Sequence, residues 1–219
     1  MSVEAVVFDL DGVLVDSEPV WEAVRRDFVA ERGGRWRPDS QQRLMGMSTA
    51  EWARYLVTEL GVAGMPAEEV ADAVVERMAE RYREAVPLLP GAAAAARLLA
   101  SRWPLGLASS SPRRLIDVVL DRAGLAALFA VIVPTDEVGR GKPAPDVYQE
   151  ATARLGFDPQ RCVAVEDSTN GLRAACAAGM EVVAVPRPAY PPDADALGCA
   201  GFVLHSLEDL TLEMVESLA

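Results

Sequence analysis

The pattern that most constrains the fold of this 219-residue chain is a series of short apolar runs separated by helical segments, which begins near Leu88. Such an alternation is typical of a parallel sheet covered by helices. An apolar run near the N-terminus, at residues 6–8, adds a further strand. The sequence therefore predicts an α/β fold with a doubly wound, Rossmann-like parallel sheet. The later strands are expected at residues 104–109, 130–134 and 162–167, in EVVAVP and in GFVLH.

The segment between the first and second predicted strands carries helix signals and no convincing strand. Ser17 is expected to cap a helix, and Ser48 with Glu51 forms a capping box that opens a second one. A third helix is expected to begin at Pro66. We therefore predict an all-helical cap domain inserted into the sheet domain. The core comprises residues 1–16 and 87–219, and the cap comprises residues 17–86.

The charge of the chain argues against several classes of partner. Its formal net charge is −12, and it has no basic tract that could bind nucleic acid or an anionic membrane surface. It also has no apolar stretch of about 20 residues, the length that a membrane-spanning helix needs. The acidic N-terminal segment resembles a folded strand and not a signal peptide, which predicts a cytoplasmic protein. We expect a monomer or a weak homodimer.

The cysteines and basic residues add two expectations. Cys162, Cys176 and Cys199 are odd in number and lack CxxC spacing, which favours buried free thiols over disulfides or a zinc site. Lys142 is the only lysine of the chain, and every other side-chain cation is an arginine. Lys142 follows the third predicted strand, near other candidate site residues. This position favours a functional role.

Polar residues follow the predicted strands where each strand ends. Because ligands of doubly wound sheets bind beyond the carboxyl ends of the strands, we expect these residues to converge. Several carboxylates close to one cation would repel one another without a bound metal, and oxygen ligands favour Mg²⁺. The converging residues are Asp9 and Asp11 after the first strand, Ser109 and Ser110 after the second, Lys142 after the third, and Glu166 and Asp167 after the fourth.

The second strand end has the features of a phosphate site. Ser109 and Ser110 precede Pro112, which suits the first turn of a helix capped by Ser111. A helix N-terminus with free backbone amides and hydroxyls binds anions. The pair Gly141–Lys142 is not part of a Walker motif, because Pro143 stands where Ser or Thr is required.

Four segments together, DLDGVLVDSE, ASSSP, GKPAPD and VEDSTNG, resemble the ordered motifs of the haloacid dehalogenase-like hydrolase superfamily, in its phosphatase and phosphomutase branch with a helical cap. The resemblance spans essentially the whole chain. It implies that Asp9 is the nucleophile and that Asp11 is the acid and base. It also implies that Lys142 and Ser109 hold phosphoryl oxygens. The implied Mg²⁺ ligands are Asp9, the Asp11 carbonyl, Glu166 and Asp167.

The cap is expected to determine the substrate, a small phosphorylated metabolite. Within the superfamily, DSEPVW resembles bacterial sugar- and polyol-phosphate phosphatases such as 2-deoxyglucose-6-phosphate phosphatases. The residues predicted to bind substrate are Ser109, Ser110, Lys142, Glu18, Trp21, Gly46 in the 45–47 loop, and Asn170. Two of them have alternatives: Trp21 as part of the cap core, and Asn170 as a left-handed residue before Gly171.

Two other functions stay open beside a magnesium-dependent phosphatase. The first is a mutase resembling β-phosphoglucomutase, which implies a histidine and two cations in the cap. The corresponding residues here are Trp21, Met45 and Thr49, so hydrolysis is favoured. The second is a non-catalytic protein that binds a phosphorylated metabolite. The intact set of carboxylates and Lys142 argues against this reading.

Overall fold

The computed structural model describes residues 2–45 and 47–218, and its centre is a parallel sheet. Every strand pair within it runs parallel, which confirms the predicted fold class. The order of the strands is β3-β2-β1-β4-β5-β6. The strands are β1 (Ala5–Phe8), β2 (Leu105–Ser109), β3 (Phe129–Pro134), β4 (Cys162–Glu166), β5 (Glu181–Ala184) and β6 (Phe202–Val203).

Helices connect the strands and form the inserted segment. The helices of the insertion are α1 (Glu18–Glu31), α2 (Ser40–Leu44), α3 (Thr49–Thr58) and α4 (Ala67–Glu84). Those of the sheet unit are α5 (Ala92–Ala100), α6 (Arg113–Ala123), α7 (Asp146–Leu155), α8 (Thr169–Ala177), α9 (Ala194–Leu197) and α10 (Leu212–Glu216).

The centre of the sheet is its most buried part. All residues of β1, β2 and β4 are buried, as expected for apolar strands that are covered by helices on both faces. The chain continues from β1 to β2 and β3 on one side, whereas β4, β5 and β6 lie on the other side of β1. The strand order therefore reverses between β1 and β4. Their carboxyl ends flank the crevice in which such sheets bind ligands.

The chain divides into two compact units. One comprises Met1–Asp16 with Val86–Ala219, and the other comprises Ser17–Ala85. In the sheet unit, the segments on either side of the insertion pair with each other. The Asp16 amide donates to the Pro87 carbonyl at 2.9 Å. Val15 also forms an antiparallel bridge with Leu88.

The helical unit has its own apolar core. The rings of Trp21 and Trp52 are both buried, and their centroids lie 5.9 Å apart. The capping box of Ser48 and Glu51 is present, as predicted. The prediction that Ser17 caps α1 is wrong, since its backbone is already helical and its side chain makes no capping bond. The short helix α2 was not predicted.

Three further expectations differ from the structure. Cys176 and Cys199 form a disulfide with a Cα–Cα distance of 6.5 Å, so the prediction of free thiols is wrong for these two cysteines. For Cys162, which is a buried free thiol, it is confirmed. The two cysteines meet because α8 and α9 pack together. Pro112, and not Ser111, occupies the cap position of α6. Asn170 lies within α8 and does not have the left-handed conformation that was the alternative for it.

Across residues 2–45 and 47–218, no helix combines the length and the apolar character needed to cross a membrane.

Candidate active site

The end of β1 places Asp9 in the crevice beside Lys142. The Lys142 Nζ donates to Asp9 Oδ1 at 2.7 Å, to Glu166 Oε1 at 2.7 Å and to the Ala108 carbonyl at 3.1 Å. Both members of the Asp9 pair are buried, with side chains 8 % and 5 % exposed. The three acceptors use all the protons of the ammonium group. They therefore fix its position beside the Asp9 carboxylate.

Glu166, the last residue of β4, is fully buried and accepts hydrogen bonds on both carboxylate oxygens. Its Oε1 accepts from Lys142 and from the Tyr148 hydroxyl, the latter at 2.8 Å. Its Oε2 accepts from the amides of Asp167 and Ser168 at 2.9 and 3.2 Å, and from the Ser168 hydroxyl. Ser168 also caps α8 by accepting from the Gly171 amide. The network thus joins the ends of β1 and β4 to α7 and α8.

Asp11 lies two residues after Asp9, and its carboxylate contacts the end of β2. Asp11 Oδ2 accepts from the Ser111 hydroxyl at 2.7 Å and from the Ser109 hydroxyl at 3.3 Å. Ser109 in turn accepts from the Ser111 amide, near the start of α6. Ser110 was predicted beside Ser109 in the site, but its residue is exposed and the hydrogen bonds to Asp11 come from its two neighbours.

Three carboxylates are close enough to share a metal ion. One oxygen from each of Asp9, Glu166 and Asp167 lies within 4.8 Å of the others. Asp167 Oδ1 is buried and has no hydrogen-bond partner. A buried carboxylate oxygen without a partner is unfavourable unless a cation or a proton satisfies it. The donor set and this oxygen fit a hard divalent cation that binds oxygen ligands.

The electrostatics of this cluster also favour a cation. Burial, together with the charges of Glu166 and Asp11, raises the pKa of Asp9 to about 8 even though Lys142 opposes the shift. Burial and the neighbouring carboxylates likewise raise the pKa of Asp167 well above its usual range. Burial would also raise the pKa of Glu166, but the attraction and hydrogen bond of Lys142, together with the hydrogen bonds from Ser168 and Tyr148, outweigh it and lower that pKa. Lys142 therefore compensates the negative charge of Glu166, but it does not fully compensate the charges of Asp9 and Asp167.

Two glycines make room for the carboxylates. Gly12 has a φ of +77°, and a Cβ at this position would collide with the Asp167 carboxylate. Gly171, in the first turn of α8, has ordinary helical φ, but its Cβ would collide with the Glu166 carboxylate. Glycine is thus required at Gly12 for backbone conformation and for space, and at Gly171 for space alone.

Glu18 and Trp21, which were predicted to bind substrate, contact other side chains of the helical unit. Glu18 is half-buried and accepts a hydrogen bond from Gln41 Nε2 at 2.5 Å. Trp21 is buried and packs against Arg25, whose guanidinium carbon lies 4.4 Å from the ring centroid. Gly46 lies outside the described residues. Asn170 is half-buried on α8, and its predicted contact with substrate stays a prediction.

Tyr148 and Ser111 contact the predicted site residues, but the sequence did not point to them as site residues. Tyr148 lies between Val147 and Ala151 in the buried stripe of α7, so its position is typical of a core residue. The signal that could have identified it is its hydroxyl, since a tyrosine in an apolar stripe needs a hydrogen-bond partner. Ser111 was interpreted only as a helix cap. Its position one residue before Pro112 gave no sign of a contact with Asp11.

The amino-acid sequence matches a known family of enzymes. A family model of haloacid dehalogenase-like hydrolases matches residues 3–179. The chain is a haloacid dehalogenase-like hydrolase. Hexitol phosphatase B from Escherichia coli K12 is 36% identical to this hydrolase over 213 residues, which cover 94% of each chain.

Two solved structures illustrate the fold that this hydrolase shares with other proteins. CbbY from Rhodobacter sphaeroides, in complex with phosphate, has a TM-score of 0.86 and 28% identity and covers 97% of this hydrolase and 99% of its own chain. A putative β-phosphoglucomutase from Thermotoga maritima has a TM-score of 0.76 and 31% identity, with coverage of 99% and 98%. The hydrolase therefore shares its fold with CbbY and with a putative β-phosphoglucomutase.

Proposed function

We propose that this hydrolase is a magnesium-dependent phosphatase that acts on small phosphorylated sugars or polyols. The observation that carries the proposal is the buried pair of Asp9 and Lys142, which lies at the carboxyl edge of the sheet beside Asp11 and two further carboxylates. An anionic nucleophile beside a fixed cation suits attack on an anionic phosphoryl group.

The reaction can be assigned to the residues of the chain. An oxygen of Asp9 attacks the phosphorus atom of the ester and forms an aspartyl-phosphate, while the bond between phosphorus and the ester oxygen breaks. Asp11 gives a proton to the departing alkoxide and later removes a proton from the water that attacks the aspartyl-phosphate. That attack releases inorganic phosphate and restores the Asp9 carboxylate. Lys142 and Ser109 hold phosphoryl oxygens during both steps.

Mg²⁺ is the metal that the acidic cluster suits best. Asp9, Glu166 and Asp167 supply carboxylate oxygens, and the Asp11 carbonyl is the further ligand proposed from the family resemblance. When bound, the ion neutralises charge on the carboxylates and on the phosphoryl group. Asp167 is the strongest candidate because one of its oxygens is buried without a partner. Glu166 is the weakest, since protein donors already occupy both of its oxygens.

The substrate class rests on the names of relatives and on the helical unit. The 36% identity to a hexitol phosphatase extends over nearly the whole of both chains and supports a phosphorylated polyol or sugar. We assign the helical unit Ser17–Ala85 as the cap that selects the substrate, with the half-buried Glu18 as its contributing residue. Such a cap also excludes water from the reaction when it closes.

The decisive experiment compares wild-type protein with Asp9→Asn. Turnover of phosphorylated hexitols, pentitols and sugars is measured by phosphate release, with Mg²⁺ and after treatment with a chelator. We expect Asp9→Asn to abolish turnover and to keep the wild-type far-ultraviolet circular dichroism spectrum. Asp121→Asn, at an exposed position of α6, serves as a control with the same chemical change. Turnover by Asp9→Asn at the wild-type rate would overturn the mechanism.

A second candidate function is a phosphomutase. The observation in its favour is the likeness to the putative β-phosphoglucomutase structure. A mutase would convert one sugar phosphate to its isomer and would require a bisphosphate activator. Incubation of glucose 1-phosphate with the protein, Mg²⁺ and glucose 1,6-bisphosphate tests this directly. Formation of glucose 6-phosphate that depends on the bisphosphate would favour the mutase, whereas release of phosphate alone would favour the phosphatase.

A further inference from the structure

Lys142 has two anionic partners, and only one of them is the proposed nucleophile. Its ammonium group contacts Asp9 and Glu166 at equal distances of 2.7 Å. During the proposed reaction Asp9 changes its bonding, because it gains and then loses a phosphoryl group. Glu166 and the Ala108 carbonyl are therefore the partners that can hold Lys142 in place through the whole reaction.

Glu166 can hold Lys142 in one place only if its own carboxylate is prevented from rotating. Two backbone amides fix its Oε2 from the side of α8. On the other oxygen, Oε1, the Tyr148 hydroxyl donates beside Lys142 at 2.8 Å. Tyr148 thus supplies a neutral donor from α7, a different element from those that hold Oε2.

The ring of Tyr148 makes a second contact with the same ammonium group. Lys142 Nζ lies 5.0 Å from the centroid of the ring, within the range of a cation–π interaction. The ring itself is fully buried in an apolar core that Tyr148 shares with Val7 of β1, Ala164 of β4 and Ala151 of α7. Tyr148 is therefore rigidly held by packing, as a residue that orients others must be.

We propose that Tyr148 is a positioning residue for phosphoryl transfer: its hydroxyl orients Glu166, and Glu166 holds Lys142 beside Asp9. This inference rests on the proposed phosphatase function and adds to it a residue that touches neither substrate nor metal. Because Lys142 acts on charge that develops on the phosphoryl group, a misplaced ammonium group should slow the chemical step more than it weakens substrate binding.

The variant Tyr148→Phe isolates the hydroxyl. Phenylalanine keeps the buried ring and its contact with Lys142, and removes only the hydrogen bond to Glu166. We expect kcat to fall about tenfold, the lower end of what loss of an orienting partner costs a metal site, with KM changed less than about twofold. The assay is hydrolysis of p-nitrophenyl phosphate at saturating Mg²⁺, with enough enzyme to measure slow variants.

Thr152→Val is the matched control. Thr152 lies one turn further along α7, is fully buried and donates its hydroxyl to the carbonyls of Tyr148 and Gln149. The control therefore also removes a buried hydroxyl from α7, but not one that reaches Glu166. We expect its kcat to remain within about twofold of wild type. If kcat of Thr152→Val also fell tenfold, both effects would come from the packing of α7, and the inference would be overturned.

A double-mutant cycle tests whether Tyr148 acts through Lys142. If it does, Tyr148→Phe should change kcat less than about twofold in a Lys142→Ala background, where there is no ammonium group to position. The same tenfold loss in both backgrounds would overturn the inference, as would wild-type kcat for Tyr148→Phe alone. These results differ from a failure of the proposed function, in which the wild-type protein itself would not hydrolyse phosphate esters with Mg²⁺.

Discussion

Replacement of Gly12 by alanine tests whether this glycine makes room for the acidic cluster. The change has two physical consequences. The backbone at Gly12 has a φ of +77°, a conformation that alanine adopts at a cost of about 1–2 kcal/mol. In addition, the new Cβ would overlap the carboxylate of Asp167 and force it to move.

A second glycine separates these two consequences. Gly156 follows α7 in the same unit and has a similar φ of +86°, but a Cβ there would meet no atom within 4 Å. Gly156→Ala therefore carries the backbone cost alone. For a chain of this size that cost corresponds to a fall in melting temperature of roughly 2–8 °C. Overpacking in Gly12→Ala adds about 1–3 kcal/mol and displaces a proposed metal ligand.

The expected difference is therefore clearest in metal binding. We predict that Gly12→Ala binds Mg²⁺ about 10–100-fold more weakly than wild type, whereas Gly156→Ala retains wild-type affinity. Isothermal titration calorimetry measures the affinity, and calorimetric melting measures the stability. If Gly12→Ala bound Mg²⁺ as tightly as the wild type, either Asp167 would not be a ligand or the collision would be relieved without moving it.

Two further predictions concern the same cluster. Gly171→Ala should destabilise the protein by about 2–4 kcal/mol in urea unfolding, because the Cβ displaces Glu166 and breaks its buried pair with Lys142, a loss of about 3–5 kcal/mol that exceeds the gain of about 1 kcal/mol in helix propensity. Gly139→Ala, where a Cβ meets nothing within 4 Å, should change stability by less than about 1 kcal/mol, and equal losses would contradict this account. The pH dependence follows from Asp9: burial raises its pKa to about 8 in the metal-free protein, so Mg²⁺ must displace a proton below that pH. Apparent Mg²⁺ affinity should therefore rise at least tenfold per pH unit up to about pH 8, because Asp167, whose pKa burial also raises, must lose its proton as well, and a flat titration series would contradict it.

The sheet could be predicted because its strands are apolar runs that are buried on both faces, as Val163 and Val183 are. This pattern is visible in the local sequence and does not depend on contacts between distant residues. The approach of Asp9 to Lys142 was also predictable in outline, because it follows from the rule that strand ends meet at one edge. The predicted capping box at Ser48 is confirmed, and it could be predicted because all its hydrogen bonds are local.

The errors concern contacts that depend on tertiary structure. Cys176 and Cys199 are 23 residues apart and become neighbours only when α8 and α9 pack, so their spacing could not reveal a disulfide. In the run Ser109–Ser111, the path of the backbone decides which hydroxyls reach Asp11, and the sequence offers three equivalent serines. Tyr148 was hidden because its ring fits the apolar stripe of α7 while its hydroxyl serves the site.

The pairing of the two segments that flank the insertion has a consequence for how such a protein can evolve. Asp16 is hydrogen-bonded to Pro87, and Val15 is bridged to Leu88. The two ends of the sheet unit that flank the insertion are therefore held side by side by contacts within the sheet unit. A replacement module needs only two ends that lie side by side, and the loop-closure cost of the junction is small. The helical unit can therefore be exchanged for another of different length or sequence, and a chimaera joined at these residues should retain the register of the sheet.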